Sequence, residues 1–179
     1  MNKPIIVVGQ VRTASTSVTE MLQELGVYVG KSFDPLEGNQ NETRKNGTFE
    51  DSEFASLSRD YINEKIDREE FLHRLEYLTQ QRNERHDLWG FKDARAYKVI
   101  EDYKKIIKPR FVRTHRPAHQ CMESMVRTFG WSKDKAYDTY NAVNYKLDEG
   151  LEGEEVLNIH IEDLINQNAM SKLREYIYG

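Results

Sequence analysis

The sequence predicts an α/β fold with a mainly parallel central sheet flanked by helices. Short apolar runs alternate with stretches of helical periodicity along all 179 residues. The first run, IIVV at 5–8, is β-branched and unbroken, as suits a strand buried on both faces. Polar clusters at 10–17, 92–95 and 113–116 each follow or close an expected strand, where sheets of this kind bind ligands.

The elements follow in order. After the first strand, Val18, Met21, Leu22 and Leu25 recur at helical spacing, and Gly26 supplies a stop. Residues 30–48 are polar and rich in turn formers, which predicts a long loop, a common home for function. A helix carries Phe54, Leu57 and Tyr61. A second starts at Asp67, with Glu70 at capping-box spacing, and runs through Phe71, Leu75 and Leu78. LWGFK at 88–92 reads as a strand, Ala96 through Ile107 as a helix, and RFVRTH at 110–115 as a strand. Pro117 suits the first turn of a helix bearing Cys121, Met122, Met125 and Phe129 on one face. Ala136, Tyr140, Val143 and Leu147 mark another helix; 154–161 is the last strand and 168–178 the closing helix. Tyr61, Tyr103 and Tyr140 fall on apolar faces and are expected in the core, and Trp131 either packs or flanks a pocket.

Length and composition bound the function. The chain suits a single domain over 1–179. A formal net charge of −4 argues against general nucleic-acid binding or a basic membrane-surface role. No apolar run approaches the roughly 20 residues of a membrane span. One cysteine, Cys121, excludes an internal disulfide and a cysteine-based zinc cluster, so a cytoplasmic location is expected. His115 and His119 are four apart but lack a third ligand, and no metal site is expected.

The segment GQVRTASTS at 9–17 carries the most chemistry. A turn from a buried strand into a helix presents backbone N–H groups and the positive end of the helix dipole, which suit an anion. Arg12 adds fixed charge, and Thr13, Ser15, Thr16 and Ser17 add hydroxyls beyond what a helix cap needs. The Lys-Ser/Thr pair of a magnesium-nucleotide loop is absent. Further on, Arg116 precedes a helix on which Ser124 lies two turns along, off the apolar face. The two can share a phosphate, the arginine through its planar fork of donors. Taken alone, the spacing equally fits a solvated arginine and a neutral surface serine.

Gly9-Gln-Val-Arg12-Thr13-Ala14-Ser15-Thr16, followed by Arg116-x₇-Ser124, resembles the P-loop-related sulfotransferase family. Residues 38–51, WGFKDAR at 89–95 and VLNIHIEDL at 156–164 resemble further segments of bacterial members, in the same order. The resemblance implies a three-layer P-loop-like fold and sulfuryl transfer from 3′-phosphoadenosine 5′-phosphosulfate (PAPS), without a metal, to a hydroxyl or amine of a small-molecule or glycan acceptor. It implies that Arg12, Thr13, Ala14, Ser15, Thr16 and Ser17 hold the 5′-phosphosulfate, Arg116 and Ser124 the 3′-phosphate, and that the acceptor enters over 30–50. Arg12 is placed to neutralise charge on the leaving oxygen.

Cytosolic relatives carry a histidine base where this chain has Ala94. Glu50 is the first candidate to take the acceptor proton and Asp93 the second, though Glu50 equally suits a cap for the helix starting near Asp51. Lys92 and Arg95 are expected to orient an anionic group. The chain departs from the family pattern at three places. Ala14 replaces a loop glycine, Ser17 replaces a tryptophan, and the sequence ends at Gly179 before a glycine-rich closing segment. A non-catalytic adenosine-bisphosphate-binding relative and a P-loop kinase are the alternatives.

Overall fold

The computed structural model describes residues 3–30 and 50–179. Four strands, β1 (Ile5–Gly9), β2 (Gly90–Lys92), β3 (Arg110–His115) and β4 (Val156–His160), form a sheet in the order β2-β1-β3-β4. Every pairing among them is parallel. The helices are α1 (Ser15–Glu24), α2 (Ser52–Ile62), α3 (Arg68–Arg85), α4 (Ile100–Ile106), α5 (Ala118–Phe129), α6 (Lys133–Leu151), α7 (Ile161–Ile165) and α8 (Ala169–Tyr178).

Side-chain alternation along β1 builds the layers. Ile6 and Val8 enter a core with Phe54 of α2, Phe71 of α3, Tyr103 of α4 and Leu147 of α6. Ile5 and Val7 face the opposite side, with Val18 and Leu22 of α1 and Leu173 of α8. An all-parallel sheet covered on both faces needs apolar residues at successive positions, and all five residues of β1 are buried. A third cluster joins Cys121 and Met125 of α5 to Ala136 of α6, with Val11 of the loop after β1 packed against it.

Strand register brings the three polar clusters together. Val7 pairs with Lys92, Gly9 with Thr114, and His115 with His160, so residues 10–17, 92–95 and 113–116 leave the sheet at one carboxyl edge. Isolated backbone bridges from Tyr28 to Trp89 and from Glu50 to Lys92 flank β2.

Several elements differ from the sequence reading. The strand expected over 88–92 is confined to Gly90–Lys92, with Trp89 in an isolated bridge to Tyr28 and its ring stacked with Phe54 and Phe91. The expected helix over Ala96–Ile107 is a 3-10 turn (Ala96–Lys98) followed by α4; β-branched Val99, at φ −131°, interrupts it. Pro117 occupies the cap position of α5 with an extended ψ of 134°, one residue before the first turn. The last strand stops at His160, whose N–H donates to the Asp163 carboxylate at 2.9 Å as α7 opens. Tyr103 is fully buried, while Tyr61 and Tyr140 lie at the margins of their cores. The loop expected over 30–48 lies outside the described residues apart from Gly30. No described helix is long and apolar enough to cross a membrane.

Candidate anion-binding site

The loop joining β1 to α1 is built around a close approach of backbone to side chains. Thr13 Oγ1 donates to the Gln10 carbonyl at 2.6 Å, and lies 2.6 Å from Thr114 Oγ1 on β3. This hydroxyl pair sits over Gly9, where an added Cβ would come within 2.3 Å of Thr114 Oγ1. Only glycine fits. The Thr13 hydroxyl therefore faces the interior and locks the loop to β3.

Beyond Gly9 the backbone takes left-handed conformations at two residues with side chains, Arg12 (φ 73°) and Ala14 (φ 66°). Thr13 between them has a negative φ, so the sign alternates along the loop. Alternation of this kind is the backbone pattern of nests, in which successive N–H groups turn toward one concave side. Ala14 is also the cap residue of α1 and offers no side-chain acceptor to the first-turn N–H groups. In an ordinary helix a serine or aspartate fills that role. The left-handed backbone costs each non-glycine residue about 1–2 kcal/mol, and such strain concentrates at functional sites.

Positive charge reaches the loop from two directions. Arg12 Nε donates to Ser124 Oγ at 2.9 Å, and Arg116 Nη1 donates to the Arg12 carbonyl at 3.3 Å. Ser124 is 2% exposed and faces the loop, not solvent. From the other side Lys92, at the end of β2, places Nζ 3.3 Å from Thr16 Oγ1 in the first turn of α1. A lysine thus stands at this loop, supplied by the neighbouring strand and not by the loop sequence. Ser15 and Ser17 share that first turn and are partly buried.

Glu50 lies beside this lysine. One oxygen is 3.8 Å from Lys92 Nζ and the other 3.5 Å from Arg95 Nη2. It does not cap α2; Asp51 does, accepting from the N–H groups of Glu53 and Phe54 while Arg82 Nη2 holds its second oxygen at 3.0 Å. Asp93 is almost fully buried with both oxygens engaged. Oδ1 accepts the Arg95 N–H at 2.8 Å, and Oδ2 accepts the Tyr103 hydroxyl at 2.8 Å. Burial, aided by the Asp93 charge, pushes the Tyr103 hydroxyl well above the usual phenol range, so it stays a donor.

The structure brings Arg12, Thr13, Ala14, Thr16, Arg116 and Ser124 into one connected cluster, with Lys92, Glu50 and Arg95 alongside. His115 stacks on His160 of β4, with ring centroids 4.7 Å apart, instead of meeting His119. Among the described residues no group of three or more His, Cys, Asp or Glu side chains is placed to hold a metal ion. Trp131 packs with Phe129 and lies under Lys135 Nζ. Sequence reasoning missed Thr114, whose hydroxyl gives no local signal, and the insertion of Lys92 into the loop, which depends on sheet order. Residues 38–49 of the resembling segment lie outside the described residues.

A parallel sheet flanked on both faces by helices, with a phosphate-type loop after its first strand, defines a P-loop-like α/β fold. Solved structures share it at low identity. The chain resembles shikimate kinase from Bacteroides thetaiotaomicron (TM-score 0.57, 10% identity, 97% of each chain covered). It resembles deoxyadenosine kinase from M. mycoides (TM-score 0.52, 15% identity, 95% of this chain and 98% of that chain). A sulfotransferase from Mycobacterium tuberculosis matches with a TM-score of 0.51 and 15% identity, over 99% of this chain and 67% of that chain. No family model matches the sequence, and no curated protein does. At these identities the likeness is one of fold.

Proposed function

We propose that the protein is a sulfotransferase that moves a sulfuryl group from PAPS to a hydroxyl or amine of a small-molecule or glycan acceptor. The observation that carries this reading is the join between the loop and α5, made by the Arg12–Ser124 and Arg116–Arg12 contacts. A second arginine fork, carried on a second helix beside the loop, suits a nucleotide with another phosphate on its ribose.

In this reading the alternating N–H groups of residues 12–14 and the uncapped start of α1 cradle the 5′-phosphosulfate, aided by Ser15, Thr16 and Ser17. Thr13 and Ala14 act through their backbone, since the Thr13 hydroxyl is engaged inward. Arg116 and Ser124 take the 3′-phosphate. The acceptor oxygen or nitrogen bonds to sulfur as the bond from sulfur to the bridging phosphate oxygen breaks. Arg12 and Lys92 neutralise the charge that collects on that oxygen, and Glu50 receives the acceptor proton. The pairs from Glu50 to Lys92 and Arg95, at 3.8 and 3.5 Å, are longer than strong hydrogen bonds, so the carboxylate keeps lone pairs for an acceptor hydroxyl that approaches beside them. Arg95 orients anionic groups at that mouth. Asp93, with both oxygens engaged, supports the site and does not take the proton.

A P-loop kinase is the second reading, favoured by the kinases among the structures of similar fold. Turnover separates the two. Radiolabelled PAPS offered with a panel of alcohols, phenols, amines and sugars should yield sulfated product in the presence of EDTA. Phosphorylation of the same panel by magnesium ATP, with no product from PAPS, would sink the sulfotransferase reading.

A further inference from the structure

We propose that Tyr103, in the core on α4, is a positioning residue that fixes Glu50 for proton transfer through Asp93 and Arg95. The inference rests on the reading of Glu50 as proton acceptor, and it extends the site through two buried side chains. A connected path supports it. The Tyr103 hydroxyl donates to Asp93 Oδ2 at 2.8 Å, and Asp93 Oδ1 accepts the Arg95 N–H at 2.8 Å and lies 3.7 Å from Arg95 Nε. Arg95 Nη2 is then shared between the Ala55 carbonyl at 3.3 Å and Glu50 Oε2 at 3.5 Å. From Glu50 the path continues through Lys92 to Thr16 of the loop.

The division of Asp93 between two partners does the positioning. One oxygen is held by a phenol from the core, so the carboxylate cannot turn fully toward the arginine. Among the described residues Arg95 Nε has no hydrogen-bond partner and stays at ion-pair distance from Asp93, which leaves the guanidinium tip over Glu50. Removing the phenol hydroxyl leaves Asp93 with an unsatisfied oxygen in a buried setting. Arg95, 3.7 Å from the other carboxylate oxygen, is a cation placed to compensate. Drawn inward, it would release Glu50 to Lys92 alone and shift the base away from the acceptor. Misplacement of this kind lowers turnover without weakening the binding of a nucleotide held at the far loop.

Tyr103→Phe keeps the ring and its packing. Its turnover is expected to fall about tenfold, with KM for PAPS within about twofold of wild type. In a Glu50→Gln background the same change should have almost no further effect on turnover. Tyr176→Phe is the matched control, since Tyr176 also spends a partly buried hydroxyl on backbone carbonyls, those of Phe111 and Glu155, remote from the path. Its turnover should stay at the wild-type level. Equal, independent losses from Tyr103→Phe in both backgrounds would overturn the proposal, as would no loss at all. If wild type transfers no sulfuryl group, the functional reading fails, and denaturant midpoints of the same variants still decide the path. A double-variant midpoint shift smaller than the sum of the single shifts supports the coupling, and strict additivity overturns it.

Discussion

Arg12 Nε and Ser124 Oγ stand 2.9 Å apart, although 112 positions separate them in the chain. The contact joins the phosphate-type loop to α5, and Arg116 reinforces it through the Arg12 carbonyl. Ser124→Ala removes one partner of a charged group and leaves the methyl stub to pack. Hydrogen bonds to charged groups contribute about 1.5–3 kcal/mol. Affinity for adenosine 3′,5′-bisphosphate should therefore fall about 10- to 100-fold with the far-ultraviolet circular dichroism unchanged, as titration calorimetry would read. An unchanged affinity would remove Ser124 from the site.

Ala14 holds φ 66° at the cap of α1. Its left-handed backbone costs about 1–2 kcal/mol, which glycine avoids. Glycine gives back about 0.4–1 kcal/mol through the freedom of the unfolded chain. Ala14→Gly should thus raise stability by about 0.5–1 kcal/mol, read as a higher urea midpoint at constant slope. A fall in the midpoint would mean that the left-handed assignment at Ala14 is wrong.

These two positions also mark where the sequence stopped being legible. Unbroken β-branching revealed β1, and RFVRTH gave β3 to the residue, because burial on two faces leaves few other patterns. Ala14 stands where the resembling family has a glycine, which hints at a left-handed residue, but nothing in the sequence announced the same backbone at Arg12. Lys92 reaches Thr16 only because β2 lies next to β1, a fact of sheet order that no local window contains. Glu50 suited both a proton acceptor and a cap from sequence; the cap of α2 lies one residue on, at Asp51, whose second oxygen is held by Arg82 from α3. The sequence names the residues of this cluster; the contacts among them come from the fold.

Arg82 and Asp51 form a buried ion pair at the start of α2, with Arg82 lying 5.6 Å from the Tyr28 ring centroid. Its guanidinium pKa lies above the usual range: burial, the largest single influence, lowers it, but the hydrogen bonds and charges of Glu53 and Asp51 together outweigh burial. Arg82→Ala strands a buried carboxylate and should cost about 3–5 kcal/mol in a denaturant titration. Glu53, mostly exposed on the other side of the arginine, should cost under about 1 kcal/mol when replaced by alanine. Similar losses from both would show that the Asp51 pair does not anchor this corner.

Cys121 lies fully buried under the loop, its thiol donating to the Val11 carbonyl at 3.1 Å. Burial pushes the thiol from an ordinary value of 9.0 to about 11. The unfolded chain releases this proton at lower pH than the folded one, so the contribution to stability is complete below pH 9.0 and is lost between there and about 11. Native protein at pH 8 should react with a thiol-specific disulfide reagent only as fast as it opens, and promptly in denaturant. Rapid labelling of the native state would contradict this placement.

The central claim is that the loop and the Arg116–Ser124 pair serve one nucleotide with phosphates at both ends of its ribose. Calorimetric titration with adenosine 3′,5′-bisphosphate, AMP and ADP tests it directly, in wild type and in Arg116→Ala. The account predicts that the bisphosphate binds about 10- to 100-fold more tightly than AMP or ADP, and that Arg116→Ala abolishes the preference while leaving AMP affinity within about threefold. Equal affinity for the three nucleotides, or a preference that survives Arg116→Ala, would contradict it.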